Sequence, residues 1–409
     1  MYEIMSADEA IRLIRDGDCI CVNSFVGIEN PTELHEALYR RYQKMQSPTH
    51  LTIVSSAGFG VWDDEHNAEG YIREGAVDKL ICGHFGAMMS TKKLVLEDRF
   101  EAYNLPLGCI SHAIRAQAGG LPGALSKVGL DIFVDPRREG PGINRISIDD
   151  SLVKHVEVDG DEFLYYKLPK ITIAMIKGTA ADRKGNITFD DMFMSGDALS
   201  ICQAVKANRG KVIVQVDRLV ATPSRPRNAI IPGCLVDAIV VAEPQERNEA
   251  YMALTGSFEI PYKEWHTWNE KINDLSQKQR KNNILANIIG KRAAQELRVD
   301  DIVNIGIGIP ETVARFARKS GMLDMITLTV ESGGIGGFPV SGEAFGAMIG
   351  AASVYDMANQ FDLYDNGGLD VCFMGALEVD KYGNINAHRG TGAFAGIGGF
   401  ANITAKTPT

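Results

Sequence analysis

The sequence predicts an α/β protein of two related, open, mainly parallel α/β domains, the second truncated at its C-terminal end. Three observations lead there. Two distant stretches share one strand–loop–helix–strand pattern, and a turn signature, Asp-x-x-Gly-Asn-Ile, recurs behind comparable apolar strands. The strands themselves are continuous apolar runs alternating with helical segments, as expected of parallel sheets covered on both faces.

Near the start, Asp16-Gly17-Asp18 leads into Cys19-Ile20-Cys21-Val22, a loop, and Pro31 opening a helical pattern through Tyr42. Near residue 300, Asp300-Asp301 leads into Ile302-Val303-Asn304-Ile305, the loop Gly306-Ile307-Gly308-Ile309, and Pro310 opening another helix. Proline is tolerated in a first helical turn, where the missing N–H has no intrahelical partner anyway. Each unit continues into a β-rich run, Leu51–Ser55 in one and Ile326–Val330 in the other. Further on, Ile171–Ile176 precedes Asp182-Arg183-Lys184-Gly185-Asn186-Ile187, and Leu369–Met374 precedes Asp380-Lys381-Tyr382-Gly383-Asn384-Ile385. Glycine supplies a positive φ in such a turn, while Asp and Asn bond to nearby backbone.

These repeats set the expected boundaries. An N-terminal domain covers residues 1–256, with a long insertion at about 61–166. A polar linker covers 257–283, and a C-terminal domain covers 284–409. After its turn the first half continues through a helix near Ala198–Ala207 and strands at Val212–Val216 and Asp237–Ala242. The second half continues only from Asn386 to Thr409. That tail is too short for an equivalent set, so the second domain is expected to be truncated, or closed by something other than its own chain.

Composition narrows the function classes. With 45% hydrophobic and 23% charged residues the chain is ordinary for a soluble globular protein. Its formal net charge of -10 disfavours general nucleic-acid binding. No apolar run approaches membrane-spanning length, and the N-terminus lacks the pattern of a secretory signal. The seven cysteines include no Cys-x-x-Cys, and the eight histidines form no ligand-spaced cluster. A reduced, metal-free cytoplasmic protein is therefore expected.

The repeat also isolates a candidate site. Glu331 follows a strand and precedes Ser332-Gly333-Gly334-Ile335-Gly336-Gly337. A carboxylate there, beside backbone free to approach a ligand, fits the strand end at which open α/β sheets bind ligands. Aligning Ile326–Val330 with Leu51–Ser55 sets Glu331 opposite Ser56 and Gly333 opposite Gly58. The turn glycine occurs in both halves and the carboxylate in one, which favours chemistry over architecture. The bland alternative is an exposed turn glutamate. A dinucleotide-binding fingerprint fits less well, because Gly306-Ile307-Gly308-Ile309-Pro310 lacks the third glycine.

Glu331-Ser-Gly-Gly-Ile-Gly-Gly, with Val303–Pro310 upstream, resembles the family I coenzyme A transferases, and most closely the fused-chain acetate/propionate group. Asn104-Leu105-Pro106, Phe133–Arg137, Gln360–Asp365 and Ala395–Phe400 agree with the resemblance, which runs from Asp8 to Thr404. Members of that family are longer beyond the Gly-Gly-Phe run. The resemblance implies ping-pong transfer of coenzyme A between a short-chain acyl-CoA and a carboxylate such as acetate. Glu331 is then the nucleophile, coenzyme A is both substrate and covalent intermediate, and no cofactor is permanently bound. It implies an oxyanion donor at Gly398, and contacts to the acyl and pantetheine groups from Asn304, Gly306, Gly308, Gly333, Gly334 and Gly399. A homo-oligomer is expected, with no membrane or nucleic-acid partner. A carboxylate near its reference pKa of about 4.3 needs no base to attack at neutral pH.

Two departures stand out. Where relatives carry an oxyanion glutamine in Pro-Gln-Gly, this chain has Pro106-Leu107-Gly108, so either a nearby group substitutes, with His112 and Gln117 as candidates that are otherwise structural, or the enzyme is slow or altered in substrate. In the first half, Glu29 occupies a loop position where glycine is common. The basic pairs Lys92-Lys93 and Arg137-Arg138 are candidates for coenzyme A phosphates, or else solvated surface. An acyl-CoA hydrolase and a catalytically inert partner subunit remain as rivals, separated from a transferase by dependence on a carboxylate acceptor.

Overall fold

The computed structural model describes residues 2–60, 67–222, 225–242, 284–340, 344–390 and 393–408. The first half is built on one large sheet. Across it, in order, run Glu3–Met5, Ala238–Val241, Lys211–Leu219, Ile173–Ala181, Cys19–Val22, Leu51–Ser55, Val77–Cys82 and Glu101–Asn104, all parallel to their neighbours. Side chains alternate along each strand, so Cys19 and Cys21 enter one buried cluster while Ile20 and Val22 enter another on the opposite face. Helix Thr32–Met45 covers one face, and helices Leu107–Ala118 and Ala198–Ala207 cover the other. Both faces are dry, which is why these strands read as unbroken apolar runs.

The second sheet repeats the centre of the first. Val371–Phe373, Ile302–Ile305 and Thr327–Thr329 lie side by side and parallel. Register matches residue for residue: Ile20 faces Ile53 and Ile173 in one half, while Val303 faces Leu328 and Val371 in the other. The turns match as well. Asp182 accepts backbone N–H bonds from Lys184 and Asn186 at 2.8 and 3.0 Å, and Asp380 accepts from Tyr382 and Asn384 at 2.8 and 2.9 Å. Gly185 and Gly383 both take positive φ, 75° and 87°.

The halves diverge at their edges. Beyond Thr327–Thr329 the second sheet adds two short antiparallel strands, Gly334–Ile335 and Ser353–Val354, and Val371–Phe373 forms its other edge. The stretch expected as an insertion, 61–166, is partly main sheet: Val77–Cys82 and Glu101–Asn104 extend it, and only the strands Ala124–Ser126, Val153–Val158 and Asp161–Tyr166 make a separate antiparallel sheet. The expected linker, 257–283, lies outside the described residues. A third cluster, with Phe25, Leu107, Phe193, Phe345, Phe361 and Tyr364, joins the halves. Around it, Arg115 makes a two-pronged ion pair with Asp362, and Ser195 Oγ donates to Asp356 at 2.9 Å.

Candidate active site

The carboxyl ends of both sheets converge on one cavity of about 270 Å³. Its walls come from the loops after successive strands: Phe25 and Val26, Ala57, His84 and Leu107 from the first half, and Gly306, Ile307, Glu331 and Met374–Leu377 from the second. The run Ala395–Phe400 closes it. This is the strand end at which open α/β sheets place ligands, used here by two sheets at once.

The closing run belongs to the second half by sequence and is fastened to the first. Gly398 N–H donates to Gly83 O at 2.7 Å, Phe85 N–H to Ala395 O at 2.7 Å, and Leu107 N–H to Gly398 O at 2.9 Å. Asn104 takes part from beneath. Its Oδ1 accepts from Ile397 N–H at 2.9 Å, and its Nδ2 donates to the carbonyls of Cys82 and Gly83. Asn402 Oδ1 accepts from Gly108 N–H, so the first turn of the Leu107–Ala118 helix is held by the same segment.

Glu331 sits in this cavity with 6% of its surface exposed. Its Oε2 is buried without a hydrogen-bond partner among the described residues. Burial raises its carboxyl to about 7, against which its own backbone N–H is a smaller, opposing effect. The expected ordinary pKa is therefore corrected: at neutral pH the free site holds a mixture of acid and carboxylate. Gly399 lies directly against it, since a Cβ built there would stand 2.8 Å from Oε1 and 3.0 Å from Cγ. Only glycine lets the backbone come that close.

The expected site residues divide. Glu331, Gly306, Gly398 and Gly399 line the cavity together. Asn304, Gly308, Gly333 and Gly334 do not. Asn304 is fully buried and donates to Tyr364 Oη at 3.2 Å; that hydroxyl donates to Thr329 Oγ1 and accepts from Gln360 Nε2. This network braces the strand that carries Glu331. Gly308 takes φ 95° and its N–H donates to Glu311 Oε1 at 2.9 Å, tying the loop to the first turn of the following helix. Gly333, at φ 117°, packs against the carbonyl of Tyr355, and Gly334 packs against Met348. The Gly398 N–H expected as an oxyanion donor is engaged with Gly83 O, whereas the adjacent Gly399 N–H has no partner among the described residues.

Neither expected substitute for the missing glutamine reaches the cavity. His112 bonds to Ala358 O at 3.1 Å and pairs with Asp362 at 3.0 Å. Gln117 bridges Pro169 O, Ile171 N and Asn208. Leu107 does line the cavity, 1% exposed, and so brings methyl groups where an amide was expected. Arg137 and Arg138 are held by Asp135, Glu162 and Asp131. Glu29 adopts φ 55°, the conformation a glycine would take freely, and is kept there partly by Phe193 N–H donating to its Oε1 at 2.8 Å. The neighbouring Val26, a β-branched residue on the cavity wall, is strained likewise at φ 54°.

Sequence reasoning passed over His84. Its place in Cys82-Gly83-His84-Phe85-Gly86, glycine-flanked behind a parallel strand, was the available signal. Among the described residues no group of three or more His, Cys, Asp or Glu is placed to hold a metal ion, and no helix is long and apolar enough to cross a membrane.

Known proteins give the site its context. The family model for coenzyme A transferase matches residues 4–242 and 286–395. Acetate CoA-transferase YdiF of Escherichia coli (strain K12) is 37% identical over 411 residues, covering 99% of this chain and 74% of that protein. Caffeate CoA-transferase of Acetobacterium woodii is 35% identical, covering 100% of this chain and 77% of its own length. The crystal structure of the YdiF apoenzyme from Escherichia coli O157:H7 superposes with a TM-score of 0.86 at 35% identity, covering 99% of this chain and 75% of that one. A thioester complex of the same enzyme with CoA gives 0.87 at 34% identity, with the same coverage. The chain belongs to the coenzyme A transferase family.

Proposed function

We propose that this enzyme moves coenzyme A from a short-chain acyl-CoA to a carboxylic acid such as acetate, by ping-pong exchange through Glu331. The observation that carries this reading is the Glu331 carboxyl itself, buried at the joint end of two sheets with Oε2 unpartnered and the backbone of Gly399 against Oε1. A desolvated carboxylate with no cationic partner is a stronger nucleophile than one in water, and burial holds it in place for attack. The relatives named above as acetate and caffeate CoA-transferases, and the CoA thioester complex of YdiF, support the same chemistry.

The steps balance as follows. Glu331 Oε attacks the thioester carbonyl carbon, the C–S bond breaks, and coenzyme A leaves as thiolate, giving a mixed anhydride. The thiolate attacks the Glu331 carbonyl, the first acid departs as carboxylate, and a glutamyl-CoA thioester remains. An incoming carboxylate attacks that thioester and expels the thiolate. The thiolate then takes the new acyl group and restores Glu331. No net proton is consumed. Each attack passes through a tetrahedral oxyanion that needs donors in a water-poor site; the Gly399 N–H, without a partner among the described residues and next to Glu331, is the donor this reading assigns. Contacts to the remote parts of coenzyme A supply binding energy that offsets the strain of these states.

Propionyl-CoA with and without acetate tests the reading. Acetyl-CoA and propionate should form in equal amounts only when acetate is present, and initial rates against both substrates should give parallel double-reciprocal lines. Release of free CoA at the same rate without acetate points to a hydrolase instead and overturns the proposal.

A further inference from the structure

Both halves enter a helix through the same backbone turn. Ser195-Gly196-Asp197 precedes the helix Ala198–Ala207, and Ile397-Gly398-Gly399 precedes the helix Phe400–Thr404. Gly196 and Gly398 take φ 58° and 55°. Ala198 N–H donates to Ser195 O and Phe400 N–H to Ile397 O, both at 3.1 Å. Each turn is also fastened to the opposite half. Gly196 O accepts from Met357 N–H at 3.0 Å, and Gly398 O accepts from Leu107 N–H at 2.9 Å. Met357 and Leu107 are themselves equivalent, each being the first residue of a helix.

Asp197 is thus the counterpart of Gly399, as Ser56 is of Glu331. Each pair is in contact and holds one buried carboxyl, but the carboxyl has changed sides. In the second half the strand end supplies it, Glu331, and the helix start gives way, Gly399. In the first half the helix start supplies Asp197 and the strand end is the small Ser56, whose Oγ donates to Asp197 Oδ2 at 2.7 Å. The two acids differ in their donors. Asp197 Oδ2 also accepts from Ser111 Oγ at 2.8 Å. Counted from the matching helix starts, the place of Ser111 is taken in the second half by Phe361, which has no hydroxyl to give.

The groups that Asp197 holds stand next to the cavity wall. Ser56 precedes Ala57, and Ser111 lies one turn beyond Leu107 on the same helix; Ala57 and Leu107 both line the cavity with Glu331. Three loops therefore meet at this carboxyl, because Asp197 N–H also donates to Asn23 Oδ1 at 2.9 Å, two residues before Phe25. We propose that Asp197 is a positioning residue for coenzyme A transfer: by holding Ser56 and Ser111 on one oxygen, it sets the Ala57 and Leu107 wall where attack by Glu331 on the thioester requires it. This rests on Glu331 being the nucleophile. Asp197 itself forms no bond to substrate and exchanges no proton.

The test is a single turnover with propionyl-CoA, in which intact mass reads both the rate of CoA adduct formation and the fraction of chains that finally carry it. Asp197→Ala frees both hydroxyls and should slow adduct formation about 10²-fold, the usual effect of a misplacement of about 1 Å, with the final fraction unchanged. Asp197→Asn keeps an oxygen for both hydroxyls but sets an amide where Oδ1 has no partner among the described residues. It should unfold at lower urea than wild type, yet react at least tenfold faster than Asp197→Ala. A merely structural residue would instead lower the fraction of competent chains. Adduct formation by Asp197→Ala within threefold of wild type overturns the proposal, as does a loss confined to the final fraction, or equal rates for Asn and Ala. Should Asp197→Ala fail to fold, Ser56→Ala combined with Ser111→Ala carries the comparison. That protein should react at least tenfold more slowly than wild type, and a wild-type rate overturns the assignment. A wild-type protein that forms no adduct at all overturns the underlying reading of Glu331, and that result is visible before any variant is made.

Discussion

Replacing Glu331 by glutamine should make the protein more stable relative to wild type as pH rises, and the structure sets the size of the effect. Burial raises the carboxyl from 4.5 in an unfolded chain to about 7 in the folded one. At about 1.4 kcal/mol per tenfold change in proton affinity, the ionised form is disfavoured in the native state by about 3 kcal/mol. The sign follows from linkage. Because the folded-state value is the higher one, the folded protein binds the proton more tightly, and this stabilisation is present in full below about pH 4.5 and lost as pH rises through about 7. Glutamine does not titrate, so the stability of Glu331→Gln minus that of wild type should grow by about 3 kcal/mol from acid to mildly alkaline pH, most of it between about pH 5 and 7. Urea unfolding of both proteins across that range reads it directly as a divergence of midpoints at matched slope. The comparison uses the change in the difference, so the constant cost of burying an amide cancels. A gap that stays constant with pH would refute the burial argument, and with it the claim that Glu331 is held desolvated.

Three further outcomes are expected. The kcat/KM for acyl-CoA should rise as pH passes through about 7 and then level off, since the free enzyme must present Glu331 as carboxylate; a profile flat from about pH 5 would contradict this. Gly399→Ala should cost about 10²-fold or more in transfer rate while leaving the fold intact, because its Cβ would stand 2.8 Å from Oε1; circular dichroism and steady-state kinetics separate the two effects. Tyr364→Phe removes the hydroxyl shared by Asn304, Thr329 and Gln360, and should destabilise the protein by about 1–3 kcal/mol in urea unfolding, because three buried groups lose a partner.

How much of this the sequence disclosed depends on what each residue's neighbours have in common. The duplication was readable because its signals are local: apolar strands of similar length, and Asp182 and Asp380 each folding their own turn. From those came the alignment of the two halves, and with it the contrast between Ser56 and Glu331. His84 had no such echo. The strand before it, Val77–Cys82, lies where the second sheet switches to an antiparallel pair, so no repeat could point to it. Asn304 was a site candidate because it belongs to the motif that carries the family resemblance, yet its amide faces Tyr364, sixty residues away in the chain, and only the fold brings the two together. Gly398 and Gly399 are indistinguishable as letters. Which one turns its N–H to Gly83 and which one packs against the Glu331 side chain is a matter of backbone direction, and composition carries no trace of it.

The central claim is that Glu331 forms a covalent bond with coenzyme A. Incubating the protein with propionyl-CoA and measuring intact mass tests it most directly. The account predicts a gain equal to coenzyme A less one water, mapped to the peptide bearing Glu331, removed by added acetate and absent from Glu331→Gln. A folded protein that turns over propionyl-CoA and acetate without ever showing that adduct, or shows it equally in Glu331→Gln, would contradict the account.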